Sequence, residues 1–195
     1  MNVDKNILHN LLMVAYLYLP INNTGTRRTI KFVRYLPEFG YRPMILTTGT
    51  RGSLPDDDLQ CIFRTDDILG KFRHAFRKLK LRNLPPEQIA NTGALQKSSR
   101  IVRFMGDYLP PDPEILWYLP AIKKGSDIIQ TMSVKTIYST SSPETNHLVA
   151  LKLKRKTGLP WVADFRDGWM FEPLRPTRLT LGYRRRIETR LEREV

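Results

Sequence analysis

The sequence has little of what disulfide frameworks and metal centres require. It contains one cysteine, Cys61, and three histidines among 195 residues. A single cysteine excludes an intramolecular disulfide and favours a reducing compartment, so we expect a cytoplasmic protein. The histidines stand far apart, at positions 9, 74 and 147, and such spacing argues against a structural zinc site. We therefore expect no metal, and we interpret Cys61, which lies in the apolar run LQCIF, as a small buried thiol.

Sequence signatures of several enzyme classes and of membrane-spanning helices are also missing. The chain contains no G-x-G-x-x-G dinucleotide fingerprint, no G-x-x-x-x-G-K-[ST] phosphate loop and no G-x-S-x-G nucleophile elbow. Its apolar run from Leu11 to Leu19 has nine residues, whereas a helix needs about 20 to cross a bilayer. These absences argue against a dehydrogenase, a P-loop ATPase, a serine hydrolase and a transmembrane protein.

Acidic residues are outnumbered by basic ones, 19 against 32, which gives a formal net charge of +13. Such a surplus attracts phosphate-bearing partners, namely nucleic acid, an anionic membrane surface or phosphorylated substrates. The charge by itself does not choose among them. Because neither a helix-turn-helix nor an aromatic RNA-binding motif accompanies the charge, we expect no specific nucleic-acid partner.

The order of apolar and amphipathic segments predicts alternating strands and helices. The continuous apolar run from Leu11 to Leu19 is typical of a strand that is buried on both faces. An amphipathic helix over 26–36 and a short strand over 43–47 follow, and they complete a βαβ unit. Further strands are predicted at 59–64, 135–140 and 161–165, and further helices around 101–105 and 115–124, from Ser142 to Lys156 and from Leu181 to Val195. This alternation predicts one α/β domain over residues 1–195, with a Rossmann-like parallel sheet flanked by helices.

Polar loops follow three of the predicted strands, at 20–26, 139–144 and 164–170. In open parallel sheets, ligands bind beyond the carboxyl ends of the strands, near the point where the strand order reverses. In the first loop, Gly25 and Thr26 stand at a predicted helix start, where free amide groups favour a phosphate. Alternatively, Gly25 only makes a tight turn between strand and helix, and the sequence leaves both interpretations open.

The second loop carries a run of hydroxyl side chains from Ser139 to Ser142. These side chains either cap the following helix or contact a polar ligand, with Ser141 as the ligand-contacting candidate. Capping is the favoured interpretation, because Ser142 followed by Pro143 and an acid is typical of a helix start. His147 lies one turn into that helix, and we interpret it as a surface or packing residue rather than a catalyst.

The third loop, from Asp164 to Trp169, contains two carboxylates, a guanidinium and an indole directly after a predicted strand. Asp164 at the strand end is a candidate base or a partner for a sugar hydroxyl. Trp169 is a candidate platform on which a sugar ring stacks. Alternatively, Arg166 pairs with Asp164 or Asp167 and stiffens the loop.

Two blocks of sequence carry a family resemblance. The first contains MVAYLYLP from Met13, Thr24-Gly25 and RYLPEFGYRPMILT from Arg34; the second contains YSTSSPETNH from Tyr138, LKLKRKTGLPW from Leu151 and ADFRD from Ala163. In order and spacing, these motifs resemble the N-terminal domain of GT-B glycosyltransferases of the group 1, family 4-like type. The resemblance covers residues 11–47 and 135–195.

The resemblance implies transfer of a sugar from a nucleotide-sugar, which acts as co-substrate, to a glycan or lipid-linked acceptor, with no cofactor and no obligatory metal. It assigns acceptor binding to this domain and donor binding to a second Rossmann domain, which we do not find in the 195 residues. We therefore expect the final helix, 180–195, to lead to a missing C-terminal domain and the isolated chain to be inactive. The alternative function is a non-catalytic binding module for a phosphorylated glycan, a lipid or a partner subunit.

The resemblance also implies site residues. Thr24, Gly25 and Thr26 match the loop that approaches the donor phosphates or the acceptor, in which the family's usual double glycine is reduced here to a single one. Many members carry a His-Asp pair after the fifth strand, and the matching pair here, Arg166-Asp167, supplies the catalytic candidates. The remaining substrate-binding candidates are Ser141, Asp164 and Trp169.

A basic segment from Lys71 to Arg82 combines an apolar stripe at helical spacing with six Lys or Arg residues. Such a helix can lie on an anionic bilayer, where each basic side chain near the surface contributes about 1 kcal/mol. We expect peripheral contact with the inner face of the membrane, and the alternative is a solvated helix that covers the core. The candidate contacts are Arg73, Arg77, Lys78 and Lys80.

Overall fold

The computed structural model describes residues 8–21, 24–49, 61–66, 108–171 and 182–195. At its centre lies a parallel sheet of five strands in the order β3-β2-β1-β4-β5. The strands are β1 (His9–Val14), β2 (Tyr41–Thr48), β3 (Cys61–Thr65), β4 (Thr136–Thr140) and β5 (Trp161–Asp164). The predicted fold class, an α/β Rossmann-like parallel sheet flanked by helices, is confirmed.

Four α-helices accompany the strands in the described part of the chain: α1 (Thr24–Tyr35), α2 (Tyr118–Thr131), α3 (Thr145–Thr157) and α4 (Gly182–Glu194). Short 3-10 helices follow α1 at Leu36–Phe39 and precede α2 at Pro113–Trp117. None of the described helices is both long and apolar enough to cross a bilayer. Each predicted helix that falls on these residues is present, and α2 continues well beyond its predicted end at residue 124.

Helices pack on both faces of the sheet because alternate strand residues point to opposite sides. Leu12 of β1 belongs to a core that also contains Ile128 of α2 and Val149 of α3. Its neighbour Met13 belongs to a second core, which contains Val33 of α1. Both faces of β1 are therefore covered, as its continuous apolar run predicts.

The predicted first strand is too long at its carboxyl end. β1 ends at Val14, and residues 15–19 continue as a largely buried loop. Side chains satisfy the backbone of this loop: the Tyr16 N–H donates to Asn146 Oδ1 at 3.0 Å, and the Tyr16 carbonyl accepts from the Thr47 hydroxyl at 3.0 Å. A buried loop needs such partners, and its apolar composition imitates a longer strand.

The start of α3 also differs from the prediction. The helix begins at Thr145 rather than near Ser142, and Glu144 before it makes no side-chain capping bond. The cap comes from Asp112, whose carboxyl group accepts the Thr145 N–H at 2.9 Å and contacts the Thr145 hydroxyl at 2.6 Å. Helix starts need such acceptors, and here a residue 33 positions away supplies them. Gly158, at a φ of 72°, ends the helix as predicted.

The last helix, α4, packs back onto the domain. Arg184 and Glu188 are buried and form an ion pair at 2.6 Å. Arg184 also donates to the Pro111 carbonyl at 2.8 Å, and Glu188 accepts from the Trp169 indole at 3.3 Å. A buried ion pair needs further hydrogen bonds of this kind to offset its desolvation. The buried face of α4 is thus part of the packing of this domain.

Two smaller predictions concern β3 and the segment after it. Cys61 lies in β3, where it is half-buried rather than enclosed. β3 is the outermost described strand on its side of the sheet, which leaves its residues less covered than those of β1. The predicted helix around 101–105 lies outside the described residues.

Candidate functional site

The second and third polar loops and the helix that follows the first loop meet at the carboxyl ends of the strands. Arg28 of α1, the helix after the first loop, contacts Asp164 at the start of the third loop, with Nη2 2.7 Å from Oδ1. The second and third loops touch directly, because the Ser141 N–H donates to the Asp164 carbonyl at 3.1 Å. This edge lies at the switch point of the sheet, since β1 has β2 on one side and β4 on the other. We take it as the candidate site.

The start of α1 favours negative charge. The helix begins at Thr24, so Gly25 and Thr26 occupy its first turn as predicted. Thr24 is exposed, Gly25 is half-buried and Thr26 is buried, and the turn contains no acidic residue. The first amide groups and the helix dipole give this part of the edge a positive potential, and the exposed Arg27 increases it.

Asp164 accepts four hydrogen bonds at this edge. Its Oδ2 accepts from the Tyr138 hydroxyl at 2.6 Å, from Arg28 Nε at 3.0 Å and from the Thr140 hydroxyl at 3.1 Å. Its Oδ1 accepts from Arg28 Nη2 at 2.7 Å. Burial alone would raise the pKa of this carboxyl group, but the hydrogen bonds from Tyr138 and Arg28 outweigh burial and lower it. Asp164 is therefore a carboxylate at neutral pH, with Oδ1 as its less occupied acceptor.

The surroundings of Asp164 favour binding over acid catalysis. Burial and the adjacent carboxylate raise the pKa of Tyr138, so its hydroxyl remains protonated and acts as a donor. The Asp164 side chain keeps 15% of its surface exposed. A ligand hydroxyl can therefore donate to this carboxylate, whereas Asp164 has no proton to give at neutral pH.

A buried hydrogen-bond chain on the other face of the sheet ends at His147. The Trp161 indole donates to Ser139 Oγ at 2.9 Å, and Ser139 Oγ lies 2.8 Å from His147 Nδ1. The Trp161 indole can only donate, so Ser139 Oγ accepts from it and can donate its own proton to His147 Nδ1. With Nδ1 assigned as the acceptor, the imidazole proton is on Nε2. Burial lowers the pKa of His147 to about 4, with partial opposition from Asp164. The ring is thus neutral at physiological pH, and its centroid lies 4.4 Å from that of Phe165.

Ser141 does not cap α3, although capping was the favoured interpretation of its loop. The side chain is buried, and among the described residues its Oγ has no hydrogen-bond partner. The same holds for His147 Nε2. Of the two open interpretations of His147, surface or packing, the structure supports packing, because the side chain is buried; it also closes a polar chain that the sequence did not indicate.

The catalytic candidates pair with each other. Arg166 donates through Nη2 and Nε to Asp167 Oδ2, at 2.9 and 3.0 Å. The two side chains are 26% and 45% exposed. The alternative interpretation was that Arg166 pairs with Asp164 or Asp167 and stiffens the loop. Arg166 pairs with Asp167, and Asp164 pairs with Arg28. A catalytic role for Arg166 and Asp167 stays a prediction.

Trp169 is enclosed in the packing between the third loop and α4. It is 1% exposed, and its indole Nε1 donates to Glu188 at 3.3 Å. A ring that stacks on a sugar needs an open face, and this ring has none. The predicted role of Trp169 as a sugar platform is therefore corrected to an anchoring role for α4.

Sequence reasoning missed Arg28, Tyr138 and Thr140 as partners of Asp164. Strand alternation places Tyr138 and Thr140 on the face of β4 opposite Ser139, and that pattern was a usable signal for a contact with the end of β5. Arg28 carried no such signal, because it is one of several exposed basic residues of α1 and lies 136 positions from Asp164.

The residues of the site offer no metal-binding cluster. Within the described part of the chain, no group of three or more His, Cys, Asp and Glu side chains could hold a metal ion. No protein-family model matches this chain, and no curated protein matches it. The function is therefore inferred from the site and from the motifs that surround it.

Proposed function

We propose that this chain is the acceptor-side domain of a glycosyltransferase that moves a sugar from a nucleotide-sugar to a glycan or lipid-linked acceptor. The observation that carries the proposal is the junction of two polar loops and helix α1 at the carboxyl ends of a parallel sheet, where Asp164 contacts Arg28 and Ser141. Ligands of such sheets bind at this position. The motifs that resemble GT-B enzymes include these same loops.

The first turn of α1 supports contact with the donor phosphates. Thr24, Gly25 and Thr26 lie at the positive end of the helix dipole, next to the exposed Arg27. A nucleotide-sugar carries a pyrophosphate, whose charge suits this potential. The proposal needs no cofactor, since the nucleotide-sugar is itself the activated co-substrate.

Asp164 and the Arg166–Asp167 pair support contact with the acceptor. Asp164 is a fixed carboxylate that can accept a bond from an acceptor hydroxyl. Asp167 is 45% exposed, so such a hydroxyl can replace Arg166 as its partner, and an exposed pair of this kind costs at most about 1 kcal/mol to open. In the proposal, Asp167 orients or deprotonates the acceptor hydroxyl, and Arg166 stabilises negative charge that develops nearby.

The opposite wall of the crevice belongs, in this proposal, to a second Rossmann-like domain that holds the nucleotide. We expect the isolated chain to bind acceptor without transferring sugar. The division follows the resemblance, which assigns the donor to the other domain.

The experiment is a transfer assay on the product of the complete gene, with UDP- and GDP-sugars as donors and with glycan and lipid-linked acceptors. We expect transfer, and we expect Asp167→Ala to lower it about a hundredfold, the usual loss when an acid-base group is removed. Asp127→Ala, which changes an exposed carboxylate of α2, is the matched control. Transfer by the isolated 195 residues would contradict the division between domains, and an unaffected D167A enzyme would remove Asp167 from the chemistry.

A non-catalytic binding module is the second candidate, and one observation favours it. At the described edge the charged groups are already paired, Asp164 with Arg28 and Asp167 with Arg166, and His147 is buried and neutral. Such a site can hold a phosphorylated glycan, a lipid or a partner subunit without chemistry. Binding of a phosphorylated glycan by the complete gene product in the absence of any transfer would favour the module, and transfer would exclude it.

Peripheral contact with an anionic membrane is a further part of the proposal. The net charge of +13 and the lipid-linked acceptors of similar enzymes support it. Vesicle flotation is the test, with binding expected only when anionic lipid is present; equal binding to neutral vesicles would contradict an electrostatic contact. The candidate contacts Arg73, Arg77, Lys78 and Lys80 lie outside the described residues.

A further inference from the structure

A cavity of about 300 Å³ lies between α3, α4 and the 3-10 helix that precedes α2. This volume is at the lower end of the range of small-molecule sites in proteins. Since a water-sized group occupies about 30 Å³, the cavity has room for about ten such groups of a ligand. None of the residues that line it belongs to the candidate site at the carboxyl ends of the strands.

The inner side of the cavity is apolar. Leu148 and Leu151 of α3 line it and are themselves buried, at 8% and 7% exposed. Leu191 of α4 and Ile115 of the 3-10 helix, both half-buried, complete this side. Aliphatic side chains cannot satisfy the polar groups of a sugar or a nucleotide, so this side favours an apolar chain or ring.

The outer side of the cavity carries a surplus of positive charge. Lys152 and Arg155 of α3 line it, and both are exposed. Glu194 is the one acidic residue in the described lining, and its carboxylate is already shared by Arg155 at 3.2 Å and by Arg190 at 3.1 Å. Lys152 makes no hydrogen bond or ion pair with another residue of the described chain. Its ammonium group is therefore available to an anion.

Tyr118 of α2 adds a hydrogen-bond donor to the charged side. It lines the cavity near Arg155. Burial raises the pKa of its hydroxyl, and the charge of Arg155 is close enough to oppose that rise. The hydroxyl is protonated at neutral pH and can donate to a ligand oxygen. An ammonium, a guanidinium and a phenol side by side are suited to the oxygens of a carboxylate or a phosphate.

We propose that this cavity binds an anionic amphiphile, whose apolar chain lies between α3 and α4 and whose carboxylate or phosphate lies against Lys152 and Arg155. The volume suits a chain of about eight to ten carbons. The apolar side supplies the affinity, and the basic side sets the orientation and disfavours a cationic ligand. No covalent bond changes in the cavity. The inference goes beyond the proposed function and does not depend on it, because the two use different residues.

The experiment follows the methyl resonances of Leu148, Leu151 and Leu191 by NMR while the 195-residue chain is titrated with octanoate or, separately, with octyl phosphate. We expect saturable shifts with at least one of these anions, and the one that binds more tightly identifies the headgroup. Octyltrimethylammonium has the same chain and the opposite charge, and it should bind at least about tenfold more weakly. Acetate and inorganic phosphate lack the chain and should leave these methyl resonances unchanged.

Two substitutions test the two sides of the cavity separately. Leu191→Phe should weaken binding about tenfold, since the larger ring displaces about two methylene groups of the ligand. Its control is Leu119→Phe, at a position of α2 that is 74% exposed. Lys152→Gln should weaken binding about fivefold, the effect of one exposed ion pair. Its control is Lys156→Gln, which changes another exposed lysine of α3, one that contacts Ser126. Both controls should keep the wild-type affinity.

Four results would overturn the proposal. They are no saturable shift with either anion, equal affinity for the cationic amphiphile, the same shifts with acetate or phosphate alone, and wild-type affinity in either L191F or K152Q. Because K152Q changes only an exposed side chain, it keeps the test valid if L191F does not fold.

Discussion

At the carboxyl ends of the strands, the two faces of the sheet differ in their hydrogen bonds. On the face covered by α1, the Asp164 carboxylate is supplied with donors, among them Tyr138 of β4 and Arg28 of α1. On the face covered by α3, the chain that passes through Ser139 reaches His147 and stops at an atom that the described residues leave unpartnered. The carboxylate, with four donors, holds the strand ends in place, whereas the neutral chain ends at an atom without a partner among the described residues. The first face is therefore held by hydrogen bonds to a charged group, and the second is held by neutral hydrogen bonds.

The faces also differ in charge, and they are expected to weaken in different pH ranges. The pKa of Asp164 is lowered in the folded protein, so its contribution is present above its unfolded value of 3.8 and is lost as the pH falls below that value. The pKa of His147 drops from 6.5 to about 4 on folding. Its neutral form is favoured in the folded protein, so its contribution is present above pH 6.5 and is lost between pH 6.5 and 4.

Of the substitutions that test the difference between the two faces, His147→Phe should change the free energy of unfolding most between pH 6.5 and 4. As the pH falls from 6.5 to 4, the unfolded chain binds a proton that the buried ring does not accept, and the wild-type protein loses about 3 kcal/mol of its free energy of unfolding from this group. H147F lacks this loss. The measurement is urea unfolding of both proteins at a series of pH values.

The difference between the two stability curves is the informative quantity in that experiment. Asp112 acts in the opposite direction in the same range, because its folded pKa of about 8 lies above its unfolded value and its contribution is lost as the pH rises. This effect is common to both proteins and cancels in the difference. His9→Gln changes an exposed histidine and should keep the wild-type curve. A wild-type minus H147F difference that stays constant with pH would contradict the neutral, buried assignment of His147.

Asp164→Ala should give the next largest effect, a loss of about 2 kcal/mol at neutral pH, because the Tyr138 and Thr140 hydroxyls lose their acceptor together with Arg28. Chemical denaturation measures it. Asp167→Ala breaks an exposed pair and should cost about 0.5 kcal/mol or less. Equal losses in the two variants would mean that Asp164 does not anchor the edge.

Tyr138→Phe tests how much a single donor to Asp164 contributes to stability. It removes one donor and leaves no buried acceptor unpaired, since Asp164 keeps its bonds from Arg28 and Thr140. The expected loss in the free energy of unfolding is about 1 kcal/mol. Tyr35→Phe, at an exposed position of α1, is the matched control. A loss as large as that of Asp164→Ala would place the anchoring energy in this single hydroxyl.

Arg28→Ala should have the smallest effect of the series, a loss of about 0.5 kcal/mol, because its side chain is 43% exposed and water replaces it easily. The loss should shrink at high salt, which screens exposed charges. Unfolding curves at low and high ionic strength test both statements. A salt-independent loss that exceeds that of Asp164→Ala would reverse the roles assigned to the two partners.

Local sequence patterns predicted most of the helices and strands. They failed at the ends of elements where a residue distant in the chain makes a hydrogen bond that a neighbouring residue usually makes. The apolar run that contains β1 and the spacing of α1 are local signals, and both elements are present, although β1 ends before the predicted end. The start of α3 was misplaced because its cap comes from Asp112, which no local pattern links to Thr145. The carboxyl end of β1 was misplaced because side chains satisfy the buried loop that follows it.

The location of the candidate site could be predicted, but its internal contacts could not. Parallel strands bring all their carboxyl ends to one edge, so three polar loops after such strands had to be near one another. The contact of Arg28 with Asp164 joins residues 136 positions apart and depends on how α1 rests on the sheet. Trp169 resembled an open aromatic platform in the sequence because α4, which encloses it, lies 19 positions further along at Glu188.

The sequence by itself determined three properties: a parallel α/β sheet, the basic net charge of the protein and the end of the sheet at which polar side chains collect. These properties depend on periodicity and composition. Only the tertiary structure decided that Asp164 accepts hydrogen bonds from Tyr138, Thr140 and Arg28, that Trp169 is enclosed and that His147 is buried and neutral. Burial and hydrogen-bond partners arise from residues far apart in the chain, and a one-dimensional pattern does not contain their distances.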